Sequence, residues 1–265
     1  MYIDTVKLAS FTMDYCCFGE GEKKLIILPG LSVQRVLGSA PAIAAAYAPL
    51  TKDFTIYCFE RRNELPSTYT VQEMAEDTLE AIGALHLGKV SVFGASQGGM
   101  MALEMAIRCP EMVERLVLGS TAARIREENR ELFAFWLRLA KAGDAKGLYL
   151  AFGEAVYPPS VFEASKKLLE VIAKTVKEED LARFIILSEA AKEFDVLKEL
   201  KDIQCPVLVL GSEDDAVLGG EASREIAENL REEGRHELYM YEGYGHAAYD
   251  LAPDYKERML AFLTK

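Results

Sequence analysis

A chain of 265 residues, half of them hydrophobic and 27% charged, carries enough apolar material for one packed α/β domain with an insertion, which excludes a disordered or low-complexity protein. Lysine and arginine number 30 against 42 aspartates and glutamates, a formal net charge of −12, so no basic footprint is supplied and neither nucleic acid nor membrane is expected as a partner. The five cysteines form no CxxC pair and are odd in number, and neither a disulfide framework nor a metal site is expected. Residues Met1 to Lys7 lack a basic start followed by an apolar run. The longest mainly apolar stretch, Ala40 to Leu50, is interrupted by proline and far short of the roughly 20 residues of a membrane span. A cytoplasmic location is the expectation.

In chain order, Val6-Lys7-Leu8 and Met13 to Phe18, followed by Gly19-Glu20-Gly21-Glu22, read as an antiparallel hairpin at a sheet edge. Short apolar runs follow at Leu25 to Leu28, Thr55 to Phe59, Lys89 to Phe93, Leu116 to Leu118, Pro206 to Leu210 and Glu237 to Tyr241. Runs that are apolar on both faces suit a parallel sheet covered on each side by helices. The helical patterns lie between them, at Val71 to His86, at Gln97 to Arg108 before Cys109-Pro110, and at Leu251 to Lys265. One stretch breaks the alternation. Residues 121–195 contain only helical pattern: Leu132, Trp136 and Leu139 share a face, Ser160 is placed to cap Val161 to Val176, and Glu178 to Ala191 is a further helix. The reading is a core of residues 1–120 and 196–265 with a helical cap, or lid, at 121–195. The aromatic face of its first helix either packs onto the core or walls a substrate pocket, and Trp136 is the pocket candidate.

The chemistry gathers where strands end. Gly94-Ala95-Ser96-Gln97-Gly98-Gly99 is G-x-S-x-G between an apolar run and a helix, which stands the Ser96 hydroxyl clear of a sharp turn. A serine hydroxyl needs a base. Of the three histidines, His86 ends a helix and His236 begins a strand, whereas His246 sits in the loop Gly243-Tyr244-Gly245-His246 after the last strand, at the sheet edge where Ser96 opens. An orienting acid is available at Glu213, Asp214 or Asp215, three adjacent carboxylates leaving the penultimate strand.

Taken together, Leu28-Pro29-Gly30-Leu31, the Ser96 elbow, the Pro206 to Asp214 segment and Gly245-His246 resemble the α/β-hydrolase superfamily over most of the chain. The resemblance implies a mostly parallel eight-stranded sheet flanked by helices, with the insertion as its cap. It also implies a triad of Ser96, Asp214 and His246. Asp214 is chosen because the family's acid commonly stands three residues after the strand-end glycine, here Gly211; Asp215 is the fallback and Glu213 the weaker choice. The position after the Val113 to Gly119 strand, used for the acid by some relatives, holds Ser120 and Thr121 and cannot serve. Backbone N–H groups of Leu31 and Gln97 are the implied oxyanion donors. Proline replaces the family's common histidine at position 29, and Glu60-Arg61-Arg62-Asn63 stands where relatives often have Asp-x-Arg-Gly. The implied activity is hydrolysis of a small-molecule carboxylic ester or related acyl bond, without metal or organic cofactor. An acyltransferase using the same three residues, or a ligand-binding module on the same fold, is the alternative.

Overall fold

A computed structural model describes residues 1–231 and 235–265. Eight strands form one sheet: β1 (Tyr2–Lys7), β2 (Thr12–Phe18), β3 (Lys23–Leu28), β4 (Phe54–Phe59), β5 (Val90–Ala95), β6 (Val113–Gly119), β7 (Val207–Ser212) and β8 (His236–Tyr241). Their spatial order is β1-β2-β4-β3-β5-β6-β7-β8; β2 runs antiparallel to both its neighbours, β1 and β4, and the other neighbouring pairs are parallel. The first strand begins at Tyr2 rather than Val6, pairing residue for residue with β2, and Leu8 already belongs to the turn, where its N–H bonds the Phe11 carbonyl.

The central strands are buried on both faces, and their side chains alternate between two cores. Ile26 and Leu28 of β3, Val92 of β5, Leu116 and Leu118 of β6, and Val207 and Val209 of β7 enter one core. Leu25, Ile27, Phe93, Val117, Leu208 and Leu210 enter the other. This period of two is what a pleated strand imposes when helices cover both sides.

The covering helices are α1 (Ala40–Ala46), α2 (Val71–Ala84) and α3 (Gln97–Arg108), followed after β6 by α4 (Glu127–Lys141), α5 (Ala145–Val156), α6 (Pro159–Ala173) and α7 (Glu178–Lys192). Then come α8 (Gly220–Asn229), the single turn α9 (Ala248–Leu251) and α10 (Tyr255–Leu263). Thr70 and Glu73 form a reciprocal cap on α2, each side chain bonding the other's backbone N–H. The C-terminal helix starts at Tyr255 because Pro253 disfavours helical geometry at Ala252.

Four helices, α4 to α7, leave the sheet after β6 and return before β7. The exit and return are stitched together by a bridge between Arg124 and Asp195 and by a 2.8 Å bond from the Val196 N–H to the Ala123 carbonyl. Helix α5 has no counterpart in the sequence reading: Leu148-Tyr149-Leu150-Ala151-Phe152 is apolar without a clear helical stripe. Its start is set by Asp144, which accepts from the Gly147 N–H. Nor does Ser160 cap α6, which begins at Pro159 with no side-chain cap. No helix among the described residues is long and apolar enough to cross a membrane.

Candidate active site

Ser96 sits between β5 and α3 with φ 51° and ψ −123°, a region L-residues rarely adopt. Such a conformation costs on the order of 1–3 kcal/mol and persists only where the surroundings over-determine it. Here they do. A Cβ at Gly94 would strike the Gly98 backbone, and one at Gly98 would strike the Leu28 carbonyl. One at Gly99 would lie 2.5 Å from the Thr121 side chain. Helix α3 can therefore press onto the ends of β3 and β5 only through glycines. The Ser96 backbone is also pinned, its N–H to the Gly119 carbonyl at 2.9 Å and its carbonyl by the Thr121 hydroxyl at 2.7 Å.

His246 is 2% exposed and lies in a tight turn, residues 245–247, after β8. Gly243 and Gly245, at φ 82° and 59°, let the chain double back. The imidazole Nδ1 is 2.8 Å from Oδ2 of Asp215, itself only 7% exposed. Oδ1 of Asp215 accepts from the N–H groups of Val217 and Leu218 at 2.8 and 3.0 Å. Burial pushes the Asp215 carboxyl up, but attraction to His246, its hydrogen bond and the two N–H donors outweigh this and hold it below its ordinary value.

Asp214, the acid implied by family spacing, does not meet the imidazole. Its Oδ1 accepts from the Ser212 hydroxyl and the Gly243 N–H at 2.9 and 3.1 Å, and its Oδ2 from the Gly245 N–H at 3.0 Å. Those bonds outweigh burial and hold its carboxyl low as well. The expectation is thus corrected by one residue. Strand β7 continues past Gly211 through Ser212, so the turn begins later than the count assumes and delivers Asp215 inward while Asp214 clips the histidine loop to the strand end.

Ser96, His246, Leu31 and Gln97 line one cavity of about 20 Å³, space for roughly one water molecule. Helix α3 begins at Gln97, whose N–H is among those a helix leaves without an internal acceptor. Gly30 approaches so closely that a Cβ there would lie 3.1 Å from the Cβ of Ser96. The opposite wall comes from the inserted helices: Phe133 and Trp136 of α4, Phe152 and Val156 of α5, and Ala191 of α7. Trp136, 1% exposed, lines the cavity and packs within the inserted helices rather than onto the core, on Phe152 and Phe133 at ring distances of 4.7 and 5.3 Å. Among the described residues no group of three histidine, cysteine or acidic side chains is arranged to hold a metal ion.

Sequence reasoning missed the buried polar layer behind the cavity. Arg61, 3% exposed, donates to the Pro29 carbonyl at 2.8 Å and to Oε1 of Gln97 at 3.2 Å. Glu60, also buried, accepts from the Leu37 N–H and from Arg183 of α7. The available signal is Glu60-Arg61-Arg62, three successive charges directly after a buried strand, which the sequence reading takes only as a departure from the family pattern.

Comparison with known proteins agrees with this architecture. The chain is similar to a candidate carbamate hydrolase, RutD, of Agrobacterium fabrum, 27% identical over 223 residues covering 81% of this chain and 84% of the relative. It is similar also to 3-oxoadipate enol-lactonase 2 of Acinetobacter baylyi, 23% identical, with 81% and 80% of the two chains covered. Among solved structures, an alpha/beta hydrolase enzyme from a Medee basin deep-sea metagenome library superposes with TM-score 0.88 at 21% identity over 99% of this chain and 98% of that one. The enol-lactonase of Burkholderia xenovorans LB400 gives 0.85 at 20% identity, covering 99% and 100%. The model of the Alpha/beta hydrolase family matches residues 25–257, most of the sheet and its helices, and the chain belongs to that family.

Proposed function

We propose that the protein is a serine hydrolase that cleaves a small carboxylic ester or lactone. The observation that carries this reading is the convergence of a strained, pinned Ser96 and a His246–Asp215 pair on one cavity. Ser96 Oγ attacks the carbonyl carbon while His246 Nε2 takes its proton. The oxyanion that forms is stabilised by the N–H groups of Leu31 and Gln97. Collapse of the tetrahedral adduct breaks the bond to the leaving group, which receives the proton from His246. Water, activated by the same imidazole, then attacks the acyl-serine, and the acid departs as Ser96 regains its proton. Asp215 keeps the imidazole in the tautomer that presents Nε2 to Ser96 and stabilises its charged form.

The relatives' names, carbamate hydrolase and enol-lactonase, both denote attack by water at a carbonyl carbon bearing a heteroatom and support an acyl substrate. Residues 121–195 act as a cap over the core of residues 1–120 and 196–265, excluding water and supplying an apolar wall for the acyl group. The narrow cavity and its aromatic lining favour a short acyl chain. The deciding experiment pairs a fluorophosphonate with p-nitrophenyl acetate. Wild-type protein should be labelled stoichiometrically on Ser96 and hydrolyse the ester, and prior labelling should abolish turnover. Turnover that survives complete labelling overturns the reading.

A further inference from the structure

Arg61 is a cation buried where an apolar side chain would be cheaper, and its Nε has no hydrogen-bond partner among the described residues. What it does have is one terminal nitrogen bonded to two turns at once. Nη2 donates to the carbonyl of Pro29, in the turn after β3, and to Oε1 of Gln97, the first residue of α3. The other end of the Gln97 amide donates to the Leu187 carbonyl of α7 at 2.6 Å. Helix α7 returns the contact: Arg183 donates to the carbonyls of Arg62 and Arg61 at 3.1 and 3.5 Å and pairs with Glu60 at 3.4 Å. A continuous buried brace thus runs from the inserted helices through Gln97 to Arg61 and on to Pro29.

We propose that Arg61 is a positioning residue for the oxyanion site, setting the turn that carries the Leu31 N–H against the residue that carries the Gln97 N–H. The inference rests on the reading of those two groups as oxyanion donors. Hydrogen bonds weaken steeply with misalignment, so two donors serve one oxygen only if their turns hold a fixed separation. Leu31 and Gln97 belong to different elements far apart in sequence, and no other side-chain hydrogen bond among the described residues joins their turns. The planar guanidinium suits the task, because one group can satisfy two acceptors at a set angle. Its positive charge, bonded to both turns, also favours negative charge developing beside them. Gln97 extends the brace to α7, so the placement of the inserted helices and the alignment of the donors are coupled through its amide as well as through Arg183.

The test compares wild type with Arg61→Met, Arg61→Lys and Gln97→Met, using p-nitrophenyl acetate with competent serines counted by fluorophosphonate. A trifluoromethyl ketone, which adds to serine to give an oxyanion, reports the oxyanion site directly. Arg61→Met should lose about 10- to 100-fold in kcat per competent serine with KM changed less than about threefold, and its ketone affinity should fall by a similar factor. Arg61→Lys should recover part of both losses, since an ammonium can keep one of the two bonds. Gln97→Met should show the same paired loss, smaller in size. An Arg61→Met variant with kcat within about twofold of wild type, or with a lower rate but unchanged ketone affinity, overturns the inference. Should that variant lack a cooperative melt, the same paired readout on Arg61→Lys and Gln97→Met decides. A wild type that neither hydrolyses the ester nor takes the label overturns the parent reading and this one with it, whereas an active wild type with an unaffected Arg61→Met overturns this one alone.

Discussion

Two loops at the same edge of the sheet build the candidate site, one carrying Ser96 to the cavity and one carrying Asp215 to His246, and they are built by opposite means. The Ser96 elbow is set by sterics: glycines at 94, 98 and 99 leave no room for a Cβ, and the backbone at Ser96 is forced to φ 51°. The acid loop after β7 is set by hydrogen bonds: Asp214 accepts from the Ser212 hydroxyl and two backbone N–H groups, and Asp215 accepts from two backbone N–H groups and meets the imidazole. Sterics of this kind write themselves into sequence, because only one residue type fits each position. Hydrogen bonds do not, since two adjacent aspartates offer the same chemistry and only the end of the strand decides which one turns inward.

The largest effect tests the elbow. Ser96→Ala should lower kcat for p-nitrophenyl acetate by about 10⁴-fold or more while leaving the melting temperature within a few degrees of wild type. An alanine adopts the same turn and removes only the hydroxyl, so a variant that keeps its rate would move the nucleophile elsewhere. The pattern G-x-S-x-G, flanked by an apolar run and a helix, made this position legible because each glycine has a separate steric duty.

Next comes the ranking of the two aspartates, where the loops diverge most. Asp215→Asn should cost about 10³- to 10⁴-fold in kcat, because an amide facing Nδ1 favours the wrong tautomer and cannot stabilise the imidazolium. Asp214→Asn should cost about tenfold or less, through a loosened histidine loop. The reverse order would mean that the loop closes differently during turnover. Strand periodicity did reveal β7 and the acidic turn, and the loop of His246 was evident from its glycines. The one-residue assignment was not, because family spacing measured from Gly211 presumes a strand that stops there, and this strand takes one more residue.

The inserted helices were less legible than either loop. Helices α4, α6 and α7 are legible as helical pattern in the sequence, whereas α5, uniformly apolar around Leu148 to Phe152, is not, although it supplies Phe152 and Val156 to the cavity wall. Trp136 packs at a tilt on Phe152 of that helix, so a smaller side chain there should open the cavity. Trp136→Leu is expected to shift the ratio of kcat/KM for p-nitrophenyl octanoate over acetate upward by about tenfold. A lower melting temperature with an unchanged ratio would leave Trp136 a packing residue and remove it from the acyl wall.

The smallest effect compares the two aspartates by stability rather than by rate. Both carboxyls are held below their ordinary value in the folded protein, Asp215 by His246 and two N–H donors against the cost of burial, Asp214 by the Ser212 hydroxyl and the N–H groups of Gly245 and Gly243 against a lesser burial. A carboxyl with a depressed folded-state pKa contributes stability that is fully present above its unfolded value, about 3.9, and is lost as pH falls through the folded value. The gap in melting temperature between wild type and either Asn variant should therefore be widest near neutrality and close below about pH 4. Asp215 is buried and faces the imidazole, whereas Asp214 is exposed and has only neutral donors, so the Asp215→Asn gap near neutrality should be the larger of the two. Melts of the three proteins at neutral and acid pH read both. A gap for Asp214→Asn that widens in acid would show that the carboxylate is tolerated rather than favoured at the strand end, and that the loop is held by its glycines alone.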